Sequence, residues 1–157
     1  MIGNIDILIK ELCKLSKELG WVEFKHNNCE PMMIGADISA LANSATLNDR
    51  DYAYMIWGVD DKTHDIVGTD VRLQLEKKGE QELENWLRYM LTKNADFEFY
   101  EAEINGKHVE LIRIHKALNE PVAFQKVDYI RSGSYTKKLH EFPVFRAQLW
   151  DKLSRSI

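Results

Sequence analysis

Tyr52-Ala53-Tyr54-Met55-Ile56-Trp57-Gly58-Val59 is almost continuously apolar and carries three aromatic rings. A run of this length and composition reads as a central strand buried on both faces. Asp60-Asp61-Lys62-Thr63-His64-Asp65 follows it as a polar turn, and Ile66-Val67-Gly68 reads as the start of a return strand. Upstream, Ile5, Leu8, Ile9, Leu12, Leu15 and Leu19 recur at helical spacing, with Gly20 placed to end that helix. Trp21 to Lys25 reads as a short strand with Val22 and Phe24 on one face, and His26 to Pro31 as a loop. Ile34, Ile38, Leu41, Ala42 and Ala45 make the stripe of a second helix.

Downstream, Leu83, Trp86, Leu87, Met90 and Leu91 mark a third helix. Two alternating runs, 97–104 and 107–115, flank Asn105-Gly106, the strongest short hairpin signal because both turn residues need a positive φ. Pro121 to Val127 and Tyr129 to Arg131 read as further strands. Pro143 fits a first helical position ahead of Phe145, Leu149, Trp150 and Leu153. The succession predicts an α+β domain with a mixed, mainly antiparallel sheet and flanking helices.

The 157 residues suit one domain with a real core. Charged residues are 29% of the chain and apolar ones 45%, which is ordinary globular usage. No apolar stretch is long enough for a membrane span, and the first ten residues lack the pattern of a signal peptide. Cys13 and Cys29 cannot make a disulfide framework, so a reducing cytoplasm is the natural setting. Net charge is −4, yet it is unevenly spread: residues 1–104 hold 11 Lys/Arg against 20 Asp/Glu, whereas residues 105–140 hold 7 against 3. A locally basic segment can meet phosphate on an acidic protein, although the same asymmetry also arises as plain solvated surface.

Two constellations could carry chemistry. Glu18, Glu23 and Lys25 lie close in sequence, and Asp60 leaves the end of the central strand. If that strand neighbours residues 21–25, three carboxylates and a lysine converge. Such a set binds Mg²⁺ or Mn²⁺ through hard oxygens and can activate water against a phosphodiester. The alternative is ordinary: surface ion pairs for Glu23 and Lys25, a solvated face for Glu18 and a turn cap for Asp60. The second constellation runs from Asp128 to Lys138. Arg131, Ser132, Ser134, Lys137 and Lys138 are groups that position a protein on phosphates, and Tyr129 and Tyr135 could stack on unpaired bases. A β-turn with a solvated lysine pair is the competing reading. The five histidines show no zinc spacing, and neither a phosphate-binding P-loop nor a G-x-S-x-G nucleophile occurs.

Several segments together resemble the Schlafen/AlbA-like domain family: Val22 to Lys25, Ile34 to Ser44, Ile56 to Asp61, His64 to Thr69 and Tyr129 to Ser134. The resemblance spans nearly the whole chain. It implies one DNA-binding or transcriptional-regulator module over residues 1–157, the N-terminal part of a longer bacterial or archaeal protein. Eukaryotic Schlafen relatives cut tRNA-like RNA with three metal-binding carboxylates, which here would fall on Glu18, Glu23 and Asp60, with Asp61 second to Asp60. The Schlafen zinc ligands have no counterpart here, and one lobe stands where those enzymes use two. Binding of DNA or RNA without a cofactor is therefore the leading expectation. The alternatives are a Mg²⁺- or Mn²⁺-dependent endoribonuclease and a protein-interaction module. No membrane partner is expected, and the reading leaves room for a homo-oligomer.

Overall fold

The computed structural model describes residues 3–15 and 19–155. Along the chain these form α1 (Ile5–Cys13), β1 (Val22–Lys25), α2 (Pro31–Leu47), β2 (Tyr52–Trp57), β3 (Lys77–Lys78), β4 (Gln81–Glu82), α3 (Leu83–Met90), β5 (Phe97–Ile104), β6 (Lys107–His115), β7 (Ala123–Phe124), β8 (Val127–Ser132), β9 (Tyr135–Lys138) and α4 (Pro143–Arg155). Short 3-10 turns occupy Leu73–Leu75 and Leu139–Glu141.

The apolar run at 52–57 is the inner strand of a four-stranded sheet ordered β1-β2-β6-β5. It pairs parallel with β1 and antiparallel with β6, and Met55, Ile56 and Trp57 are wholly buried. All remaining ladders are antiparallel, as the α+β reading expects. Asn105 (φ 53) and Gly106 (φ 75) turn β5 into β6 with the mirror-image turn that Asn-Gly favours.

Three local expectations are corrected. The return strand at Ile66 does not form. Ile66 makes a single bridge with Val59, and the Val67 and Gly68 amides both donate to the Gly58 carbonyl. With β1 and β6 on its two sides, β2 has no edge left to pair. Residues 121–127 are not one strand either. Gln125 (φ 47) and Lys126 (φ 70) form a tight turn that folds β7 back on β8, although neither side chain signals a positive φ. Finally, α1 ends at Cys13 rather than Leu19. The Lys14 amide folds onto the Glu11 and Leu12 carbonyls, and Leu15 and Leu19 reach the core from outside the helix.

The second helix carries more than the expected stripe. Asp37, Ser39, Asn43, Ser44 and Thr46 are buried together with Ile34, Ile38, Leu41 and Ala45. The cause is a second sheet, β7-β8-β9, laid on the opposite side of α2 from β2. Backbone groups facing the helix need partners, and the polar side chains supply them. Asn43 Nδ2 donates to the carbonyls of Val122 (2.9 Å) and Tyr129 (2.8 Å), while its Oδ1 accepts from the Val122 amide (2.8 Å). Ser39 and Ser44 accept from the Tyr129 and Arg131 amides. Gly35 permits the closest approach, since a Cβ there would stand 2.2 Å from the Phe124 ring.

Candidate functional site

Alternation along β1 sends Glu23 and Lys25 to the face shared with Met55 and Trp57, toward α2. There they meet Asp37 of α2 and Arg131 of β8. Lys25 Nζ lies 3.7 Å from Glu23 Oε1 and 3.6 Å from Asp37 Oδ2. Arg131 Nη2 pairs with Glu23 Oε2, and its Nη1 donates to Thr136 Oγ1 (3.1 Å), which in turn donates to Asp37 Oδ1 (2.6 Å). Two carboxylates and two cations thus form a charge-balanced network that ties β1, α2, β8 and β9 together. Asp37 Oδ2 and Arg131 Nε are buried and have no hydrogen-bond partner.

Above this network, a cavity of about 450 Å³ runs beside the outer edge of β1. Glu23, Asp61, His64, Arg131, Ser134 and Tyr135 line it. His64 adopts a left-handed backbone (φ 61), and its ring lies 4.2 Å from that of Phe24. Its Nδ1 sits 3.2 Å from the Cys13 carbonyl, which as an acceptor selects the Nδ1–H tautomer. Its Nε2 is buried with no hydrogen-bond partner.

The residues expected from sequence fall in different places. Glu18 lies outside the described residues. Glu23 and Lys25 reach one site, both as members of the ion network. Asp60 Oδ1 accepts from the Lys62 and Thr63 amides (both 2.8 Å), the turn-capping role of an Asx residue. Asp61, one position on, faces the cavity beside Glu23. Among the described residues, neither Glu23 nor Asp60 belongs to a three-ligand group that could hold a metal ion. Glu23 is engaged by Arg131 and Lys25, and Asp60 by the amides of its own turn.

Arg131 is buried, with its side chain 3% exposed, so it organises the network from within rather than facing solvent. Ser134, Lys137 and Lys138 are exposed on the β8–β9 hairpin, and Ser132 is half-buried. Tyr135 is 67% exposed, and Lys137 Nζ stands 5.7 Å from its ring centroid. Sequence reading does not single out Asp37 or Thr136 as members of the site. The available signal for Asp37 is a charged residue directly beside the apolar stripe of a helix.

A helix sandwiched between a four-stranded and a three-stranded sheet, with a polar cavity along the β1 edge, defines an α+β domain of the Schlafen type. The family model for Schlafen, AlbA_2 matches residues 18–140, and the chain belongs to that family, a nucleic-acid-related one. The fold is similar to that of the DIP2311 protein from Corynebacterium diphtheriae, with a TM-score of 0.55 and 18% identity over 85% of this chain and 26% of that one. The chain thus spans about a quarter of the length of that protein. No curated protein matches the sequence. No helix of the described residues is long and apolar enough to cross a membrane.

Proposed function

We propose that the domain binds nucleic acid within a bacterial transcriptional regulator, holding the phosphodiester backbone on the β8–β9 hairpin and along the cavity beside β1. The observation that carries this reading is the exposure of Ser134, Tyr135, Lys137 and Lys138 on one hairpin, of which Ser134 and Tyr135 line the cavity. Hydroxyls and ammonium groups contact phosphate oxygens, and an exposed tyrosine offers a stacking platform for an unpaired base. Arg131, Glu23, Asp37 and Lys25 act beneath them, fixing the hairpin against β1 and α2. Both cysteines are unpaired thiols, which suits a reducing cytoplasm.

Binding is favoured over metal-dependent RNA cleavage because Glu23 is already matched by Arg131 and Lys25. Fluorescence anisotropy of a labelled single-stranded oligonucleotide, titrated with the protein at two ionic strengths, tests the reading. Affinity should fall steeply as salt rises, since released counterions drive phosphate contacts. Absence of binding at low salt would refute it. Metal-stimulated cleavage of the probe would instead favour the nuclease alternative.

A further inference from the structure

Toward the opposite edge of the central sheet, the β5–β6 hairpin gathers a second set of ionisable groups. The register sets Glu101 directly across from Glu110, and Glu103 directly across from His108. All four side chains consequently share one face of the hairpin. The ligand atoms of Glu101, His108 and Glu110 lie within 4.8 Å of one another. His108 bridges the carboxylates: its Nδ1 is 2.6 Å from Glu103 Oε1, and its Nε2 contacts Glu110 Oε2.

Two features separate this set from an ordinary acidic surface. First, Glu110 is only 1% exposed, with its Oε1 fixed by the Leu73 amide (2.8 Å). Like charges directly opposite on neighbouring strands are unfavourable, and Glu101 faces this buried carboxylate. Second, no lysine or arginine pairs with Glu101, Glu103 or Glu110 among the described ion pairs. Arg72, the nearby cation, donates to the carbonyls of Thr69 and Val71. Among the described residues, the other such group, Asp96, Glu98 and His115, differs in this respect: Arg88 lies 3.5 Å from Asp96 and Arg113 2.8 Å from Glu98.

We propose that Glu101, His108 and Glu110 form a binding site for a divalent transition-metal ion of the Zn²⁺ or Mn²⁺ class, with Glu103 orienting His108 through its second ring nitrogen. An imidazole beside carboxylates selects such ions over Mg²⁺, which takes an all-oxygen shell. A carboxylate on the other nitrogen of a ligating histidine is the usual way its ring and tautomer are fixed. An ion bound by Nε2 would take the place of the direct His108–Glu110 contact, with the Glu101 carboxylate beside it. The site is reachable, because Glu101 and Glu103 are exposed while Glu110 anchors the inner side. Its role would be to fix the β5–β6 hairpin to the Leu73–Leu75 turn through Glu110.

Isothermal titration of the whole chain with Zn²⁺ and with Co²⁺ tests the site, together with the visible absorption of bound Co²⁺. The expected result is one bound ion, tenfold or more weaker in Glu101→Gln and in His108→Gln, and unchanged in His115→Gln. Glu101 is exposed, so its variant keeps the test informative should His108→Gln perturb folding. An excess of Mg²⁺ should not displace the ion. Failure to bind either metal, equal affinity in wild type and Glu101→Gln, or a loss of binding in His115→Gln would each overturn the proposal.

Discussion

Arg131 on β8 and Glu23 on β1 form an ion pair that is almost entirely withdrawn from water, with side-chain exposures of 3% and 15%. The pair joins two strands that belong to different sheets and never hydrogen-bond to each other. Asp37, contributed by the helix between those sheets, completes it through Lys25 and Thr136. The position of the β8–β9 hairpin against the β1 edge therefore depends on buried electrostatics as well as on apolar packing.

Removing one partner of such a pair leaves an uncompensated buried charge. Arg131→Ala should lower stability by about 3–5 kcal/mol. Glu23→Gln/Arg131→Met, which removes both charges, should recover a large part of that loss. Urea denaturation of the three proteins decides the matter, and equal midpoints for wild type and Arg131→Ala would show that the pair does not hold the sheets together.

Asn43 satisfies three backbone groups, the amide and carbonyl of Val122 and the carbonyl of Tyr129 on β8. Asn43→Leu keeps the branched shape but leaves the Val122 amide and the Tyr129 carbonyl without their partner, while the Val122 carbonyl still accepts from Ser39 Oγ (2.7 Å). The expected cost is about 1–3 kcal/mol for each group left unsatisfied. Hydrogen exchange should accelerate first at the Val122 amide. Retention of full protection there would mean that Asn43 is not what holds the segment.

Trp57 is fully buried, and its Nε1 donates to the Asn28 carbonyl at 2.7 Å. Trp57→Ala should destabilise by about 3–5 kcal/mol. The change should appear as a large fall in the thermal midpoint, and a midpoint within a degree of wild type would remove this residue from the core.

Burial pushes the Cys29 thiol up to about 12, with the Glu76 and Glu110 carboxylates adding to the rise. A thiol held in this way stays protonated through neutral pH, and the thiolate is the reactive form. Alkylation of Cys29 by iodoacetamide at pH 8 should run far below the rate of an exposed peptide cysteine, and should rise toward that rate in urea. Fast alkylation of the folded chain would contradict the placement of Cys29 beside these carboxylates.

Much of the fold is legible in residue pattern alone. The strand expected over 52–59, observed as Tyr52–Trp57, the Asn105-Gly106 hairpin and Pro143 at the start of α4 each follow from a local rule. The failures have a common cause, since they depend on what lies across space. Ile66 could not extend a strand because β2 was already paired on both sides, which no local pattern reveals. Gln125 and Lys126 turn the chain with side chains that do not favour a positive φ, so tertiary contacts must hold them there. In the site, Glu23 and Lys25 stood out through their spacing, whereas Asp37 and Thr136 join them only once α2 is sandwiched between the sheets. Arg131 reads on the page as a surface cation and proves to be a buried one.

That placement makes the decisive experiment a charge reversal that spares Arg131. Lys137→Glu/Lys138→Glu alters two exposed residues and should leave the fold intact. Anisotropy titrations of a labelled single-stranded oligonucleotide should give weaker binding for the variant. The slope of log K against log salt should be shallower by about 1.4, because each lost phosphate contact removes about 0.7. Identical affinities and salt slopes for the two proteins would contradict the β8–β9 hairpin as the surface that meets nucleic acid.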